Sequence, residues 1–507
     1  MSRTLRKSLA LFVPLLFAGN AMYAQEQHPP RVQETKSRAP GAPRLTASHA
    51  LLFGSIPVST RSLEARKAAE LALDKYEAVM LDDAIVHAQH ATELDRNFAL
   101  GYAVLSFAAR RSVPNHSALA RAKALMPLAT PDEQLLVRWM TGLQERNLLP
   151  AIASMNDLLK RYPRNKHVLY LTSEWLYFQE DFDRSQKMME SLRELDPNYP
   201  PVLNMLGYSY IESGRPDPAK AVAALKHYAE VEAGSPNPED SLGEVLRFAG
   251  QDEQSLEHYG AALQVDPTFF SSQLGLGDTL TLMGKYDDAR LEYEKALLVS
   301  ENHRDSLHAS YQKALTYFWE GRAEEGRTAL TTLAIEAAEK KEANAQFEIG
   351  LGAAMLAADY SSELQQLHAL EAKLQDTVEG MSGADRGGVL ANVLCEEARI
   401  ASQHGQREAA EQAISKLAQF AAQSGDLRVG NFYETARGYS LLSQGDFSAA
   451  VDELSSNRRS PLAVQQLAAA QQKTGDQAAA AESLFQLKFQ RGPTVEWYIA
   501  SRGGVSR

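Results

Sequence analysis

The chain has 507 residues, with 52 Lys and Arg against 64 Asp and Glu, for a formal net charge of −12. It is 44% hydrophobic and 23% charged, which excludes global disorder, and its acidic balance argues against a nucleic-acid partner, because affinity there comes from cations meeting phosphates. The single cysteine, Cys395, excludes an internal disulfide framework and a cysteine-based zinc cluster.

The first residues read as an address. Arg3, Arg6 and Lys7 form a basic start, Leu9 to Phe17 is a short apolar stretch, and small residues lead to Ala24. This is the layout of a secretory signal peptide over 1–24, with cleavage after Ala24 or after Ala21. The apolar run is far shorter than the roughly 20 residues a membrane span needs. No later run approaches that length and no cysteine lies near either cleavage site, so neither a transmembrane span nor a lipid anchor is expected. The expected location is the periplasm or the exterior of the cell.

Residues 25–60 carry Pro29, Pro30, Pro40, Pro43 and Pro57 with Arg31, Lys36, Arg38 and Arg44. Proline fixes φ and lacks an N–H, so no helix runs through such a segment. A flexible basic arm is expected.

From about residue 62 the sequence is helical, rich in Ala, Leu, Glu, Gln and Lys, and it repeats. Leu242, Gly243, Leu246, Gly250, Tyr259 and Ala262 recur 34 positions later as Leu276, Gly277, Leu280, Gly284, Tyr293 and Ala296. Pro163 and Pro197 are also one period apart. Leu206-Gly207, Tyr210 and Gly214 give a third copy, and Gly405/Ala410, Gly445/Ala450 and Gly475/Ala480 mark weaker ones. This pattern resembles the tetratricopeptide repeat, in the manner of an exported bacterial protein. The resemblance covers about residues 62–490. It implies an all-α fold, a right-handed superhelical solenoid of about twelve antiparallel helix pairs. Small residues on the first helix, such as Gly277, admit an aromatic from the second, such as Tyr293. Gly284 and its equivalents sit at the turn between helices, where a positive φ suits glycine.

The expected organisation is a solenoid over 61–375, a glycine-rich loop over 376–390, a second stretch of solenoid over 391–490 and a tail over 491–507. The loop reads either as a break in the solenoid or as a long exposed turn. Around Gly214–Pro218 the turn between helices is two residues too long.

Catalytic and cofactor signatures are missing. Gly277…Gly284-Lys285 is misspaced for a phosphate loop, and Tyr286 stands where Ser or Thr would bind magnesium. His87 and His90 lie three apart near Asp82 and Asp83, without the further converging ligands a metal site needs. Asp287-Asp288 and Glu324-Glu325 read as solvated charges at helix starts. Trp175 with Tyr170, Tyr177 and Phe178 reads as core rather than a glycan platform. No catalytic residue, cofactor or metal is expected, and the chain is not expected to be an enzyme.

The resemblance instead implies a scaffold in the cell envelope that holds a protein or peptide in a concave groove lined by the first helix of each pair. The alternatives are a small-ligand or glycan-binding repeat protein, or an accessory subunit of an envelope enzyme or secretion assembly. Groove positions lie one after, and three before, the small anchors Ser173, Gly207, Gly243 and Gly277. They hold Tyr170, Glu174, Asn204, Tyr208, Asp240, Glu244, Leu274 and Asp278. No Lys or Arg stands among them, so the carboxylate clamp known in the chaperone-cofactor members of the family does not carry over. The acids suggest a basic or polar partner segment.

Overall fold

The computed structural model describes residues 54–109, 116–145, 147–179, 181–381, 383–424 and 427–502. The signal-like segment and most of the arm lie outside them. Among the described residues there are 25 α-helices and no β-strand.

Residues 54–177 and 184–202 form one compact unit, and residues 178–183 and 203–502 another. The first unit holds α1 (Leu63–Glu77), α2 (Leu81–Leu94), α3 (Ala99–Ala108), α4 (His116–Leu125), α5 (Pro131–Gln144), α6 (Leu148–Arg161), most of α7 (Lys166–Phe178) and most of α8 (Phe182–Leu195). Most of α9 (Pro200–Glu212) belongs to the second unit, with α10 (Pro218–Val231), α11 (Asn237–Phe248), α12 (Asp252–Val265), α13 (Phe270–Leu282), α14 (Tyr286–Val299), α15 (His303–Glu320) and α16 (Ala323–Glu339). It continues through α17 (Ala343–Met355), α18 (Tyr360–Leu374), α19 (Gly383–Gln403), α20 (Arg407–Ser424), α21 (Leu427–Ser443), α22 (Phe447–Leu454), α23 (Pro461–Thr474), α24 (Gln477–Leu487) and α25 (Val495–Arg502). Successive helices pack in pairs, as in tetratricopeptide solenoids.

Local chemistry sets the helix ends. Thr130 accepts a hydrogen bond from Glu133 N–H ahead of Pro131, and Ser460 does the same for Ala463 ahead of Pro461. Each cap satisfies an orphan donor of the first turn. Gly284 has φ +78° and Gly475 has φ +86°, so the turns fall where the repeat pattern places them, in backbone that side chains rarely adopt.

The contact between paired helices is as close as the small-residue pattern implies. A Cβ on Gly277 would stand 2.5 Å from the Tyr293 ring, one on Gly243 would stand 2.8 Å from Tyr259, and one on Gly207 would meet Leu225 at 2.5 Å. Tyr259 and Tyr293 are both buried.

Three segments differ from the sequence expectation. The end of the arm is docked: Ile56 is buried, Thr130 donates to the Pro57 carbonyl and Ser59 N–H donates to Glu133 at 2.6 Å. The glycine-rich stretch is helical from Gly383, and Leu374, Met381, Val389 and Leu390 share one core with Phe347 and Leu417. Apolar Met381 and Val389 anchor it on both sides, which a reading of glycine content overlooks. The stretch after 490 is also more than a tail, because α25 buries Val495, Trp497 and Tyr498.

Gly277→Leu is expected to destabilise the chain by at least about 1–3 kcal/mol, because the side chain must enter space held by Tyr293. Thermal or urea unfolding followed by circular dichroism measures it, and an unchanged midpoint would show that this contact has slack.

Candidate functional site

All eight positions proposed for the groove are buried. Tyr170 and Glu174, on α7, lie in the first unit. Tyr170 donates to the Glu77 carbonyl at 3.0 Å, and Tyr76 donates to both Glu174 oxygens at 3.1–3.2 Å. Trp175 packs edge-on against Trp139 at 5.4 Å between ring centres, so this aromatic cluster is core.

In the second unit Tyr208, Asp240, Glu244 and Asp278 come together around a residue the sequence reading passed over, Arg247. Its guanidinium bonds Glu244 at 2.8 Å and lies 3.6 Å from Asp278. Tyr208 donates to Glu244 at 3.1 Å, Tyr293 donates to Asp278 at 2.9 Å and Ser272 donates to Asp240 at 2.6 Å. Asn204 is buried on α9. A signal for Arg247 was present: it stands three residues after Glu244 on the same helix, where side chains face one another.

Three acids around one arginine leave the cluster short of positive charge. Burial pushes the Asp240 carboxyl up to about 7 and the Glu244 carboxyl up to about 8, the latter against the opposing pull of Arg247. Burial also raises Asp278. Desolvation disfavours the charged form and one cation does not fully offset it. Arg247 is held above its ordinary value by Tyr259, Asp278 and Glu244 despite its burial.

The strongest candidate ligand set for a metal is Asp74, Glu77 and His167 of the first unit, whose ligand atoms lie within 4.8 Å of one another. These groups already bond each other and their neighbours. His167 Nδ1 is 2.8 Å from Glu77, Tyr199 donates to the other Glu77 oxygen, and Lys166 pairs with Asp74 at 3.3 Å. The arrangement is that of a buried charge network. His90 is exposed and 3.9 Å from Glu93. Asp287, Glu324 and Glu325 form ion pairs with Arg290, Arg327 and Arg322. Cys395 is buried in α19, where desolvation raises its thiol well above the usual range, a poor setting for a nucleophile.

The C-terminal segment crosses the second unit. Arg491 makes two bonds of 3.0 Å to Asp252. Trp497 joins a core with Val464, Leu487, Leu282 and Trp319, and Tyr498 packs on Trp319 at 5.1 Å. The segment thus covers first-helix surface of α11, α13 and α15.

Residues 270–303 match the family model of the tetratricopeptide repeat. That stretch holds α13 and α14, the pair with Gly277 against Tyr293. No curated protein sequence matches the chain significantly. Among solved structures, MamA is 23% identical over 33% of this chain and 94% of its own, with a TM-score of 0.27. Yeast Tom70 is 15% identical over 82% of this chain and 96% of its own, with a TM-score of 0.39. A tetratricopeptide repeat protein from Parabacteroides merdae is 15% identical over 56% and 97%, with a TM-score of 0.33.

The raised acids set a pH dependence. Asp240 and Glu244 bind protons more tightly in the fold than in the unfolded chain. Their contribution to stability is therefore fully present below the ordinary carboxylate range and is lost as pH rises through about 7 to 8. The melting temperature is expected to fall between pH 5 and pH 9. Asp240→Asn keeps an acceptor for Ser272 and should flatten that slope, raising the melting temperature at pH 8 by about 2–4 °C. Differential scanning calorimetry across the pH range checks both, and an equal slope in the variant would overturn the assignment to Asp240.

Proposed function

We propose that the chain is an exported, non-catalytic scaffold of the cell envelope that binds a protein or peptide partner on its repeat surface. One observation carries this reading: the described residues are a run of antiparallel helix pairs, one of them a recognisable tetratricopeptide repeat, over 270–303. Such arrays build extended surfaces rather than a single reactive pocket. Cys395 and the acids of the groove positions are buried, and Asp287, Glu324 and Glu325 are held in surface ion pairs, which supports a non-catalytic role. Export rests on the basic, apolar and small-residue order of the first 24 positions. No helix among the described residues is long and apolar enough to cross a membrane.

Seven of the sequence-defined groove positions fit this reading as a supporting layer. We assign to Tyr170, Glu174, Asn204, Tyr208, Asp240, Glu244 and Asp278 the task of fixing the shape of the first-helix face from beneath. A partner then meets the exposed residues around them.

Crosslinking in intact cells, followed by identification of co-purified proteins, tests the scaffold role. One reproducible partner, lost when Gly277→Leu disrupts the repeat, is expected. Equal capture by the disrupted chain would overturn it. Export is tested separately by fractionation and N-terminal sequencing, with the mature protein expected to start at Gln25 or Met22. An intact Met1 in the cytosol would remove the envelope role and leave the scaffold reading standing.

A further inference from the structure

A cavity of about 250 Å³ lies inside the second unit. It is far larger than a single water needs and falls just below the size of sites for drug-sized ligands, which suits a small metabolite. Its wall draws on distant parts of the chain: Tyr311 and Gln312 from α15, Glu348 from α17, Phe432 from α21, and Gln490 and Glu496 from the C-terminal segment.

The formal charges of this wall balance. Four arginines, Arg247, Arg428, Arg459 and Arg491, stand with four acids, Glu212, Glu348, Asp385 and Glu496. Arg459 pairs with Glu212 inside the wall, while Arg247 and Arg491 are held by acids outside it, Glu244, Asp278 and Asp252. Unmet hydrogen-bonding groups of both kinds remain. Gln312 Oε1, Gln490 Oε1, Glu348 Oε1 and Glu496 Oε2 are shut off from solvent and accept no hydrogen bond, and the equally enclosed Arg247 Nε donates none. Gln312 is 1% exposed and Arg247 is 2% exposed. Buried polar groups ordinarily have partners, and each one left without costs free energy.

Amides dominate the rest of the polar wall. Gln312, Asn392, Asn431, Asn457, Gln486 and Gln490 all line the cavity, and an amide both donates and accepts from one planar group. An occupant that answers such a wall donates and accepts at several points and carries no net charge. Hydroxyls do this, each giving one proton and offering two lone pairs. Phe248, Phe432 and Phe489 add half-buried aromatic surface, suited to the C–H face of a ring that carries those hydroxyls. We propose that this cavity binds a neutral mono- or disaccharide, whose hydroxyls donate to Gln312, Glu348 and Glu496 and accept from Arg247 Nε.

The protonation states agree with an uncharged occupant. Burial holds the Glu348 carboxyl well above its ordinary range, with Arg304 opposing and Asp385 adding to the effect. Burial and the neighbouring Glu396 push Glu496 up to about 7, against a hydrogen bond from Ser460 and the charge of Arg399. A wall that resists ionising its own acids imposes a desolvation cost on a charged ligand as well. A sugar avoids that cost, and its hydroxyls serve an ionised acid as donors and a protonated one as acceptors. Sugar binding here goes beyond the scaffold role and does not rest on it.

Calorimetric titration of the full chain tests this, with maltose and N-acetylglucosamine as neutral probes and agmatine and citrate as charged ones. The expected result is one saturable site for at least one sugar, with affinity about tenfold weaker in Gln312→Met and in Phe432→Ala. Because an uncharged ligand is not screened, that affinity should change by less than about twofold between low and high salt. Gln312→Met keeps the length of the side chain and removes an unmet acceptor, so its circular dichroism and melting temperature should match those of the parent. That variant keeps the test decisive if Phe432→Ala fails to fold. Maltoheptaose and chitohexaose distinguish the source. An oligomer that displaces its small counterpart assigns the cavity to the end of a glycan chain, whereas binding of the small sugar alone assigns it to a free metabolite. Absence of saturable binding by both sugars, affinity unchanged in Gln312→Met, or tighter binding of agmatine or citrate than of both sugars would overturn the proposal. Partner capture by crosslinking, read independently, shows whether the scaffold role stands without it.

Discussion

The structure depends on how closely the two helices of a pair approach. At Gly277 the missing Cβ leaves 2.5 Å to the ring of Tyr293, so the aromatic occupies volume that any side chain would claim. Tyr259 is gripped more tightly still, lying 2.8 Å from the Cβ position of Gly243 and 2.3 Å from that of Gly275 on the next pair. One ring therefore fixes a spacing within a pair and a spacing between pairs. Because the same contact recurs with the 34-residue period, the packing geometry of α11–α14 follows from a few positions, and the intervening residues are free to vary in charge and length.

Close approach also buries what lies beside it. Asp240, Glu244 and Asp278 neighbour the small anchors on their own helices, so narrowing the space between helices seals them in with Arg247. Burying ionisable groups is costly unless they are paired and hydrogen-bonded. Here Tyr293, the ring packed on Gly277, offsets part of that cost by bonding Asp278, and Tyr208 on the first-helix side bonds Glu244. The aromatic of the repeat thus acts as spacer through its ring and as donor through its hydroxyl.

This explains what the sequence revealed and what it withheld. The period, the turn glycines and the anchor–aromatic pairs are local, and Gly284 or Gly277 can be assigned from their neighbours in the chain. The environment of the groove positions is not local. That Asp240 is buried against Ser272 follows from a residue beyond its own helix. Glu348, Gln312 and Glu496 belong to no motif and meet across the fold, so no spacing announces them. The segment after residue 490 looked like a tail because eight helical residues carry little periodicity, yet Trp497 and Tyr498 are large apolar groups that seek burial.

A repeat array is ordinarily held by contacts between neighbours, and its ends are free to fray. The second unit adds a tie of another kind. Arg491 and Asp252 are 239 residues apart in the chain, and α25 sits among residues of α13, α15 and α23. Closing so long a loop costs entropy that grows slowly with length, and the burial of Val495, Trp497 and Tyr498 offsets it. The consequence reaches the cavity directly. Gln490 and Glu496 are wall residues because this segment crosses the helices.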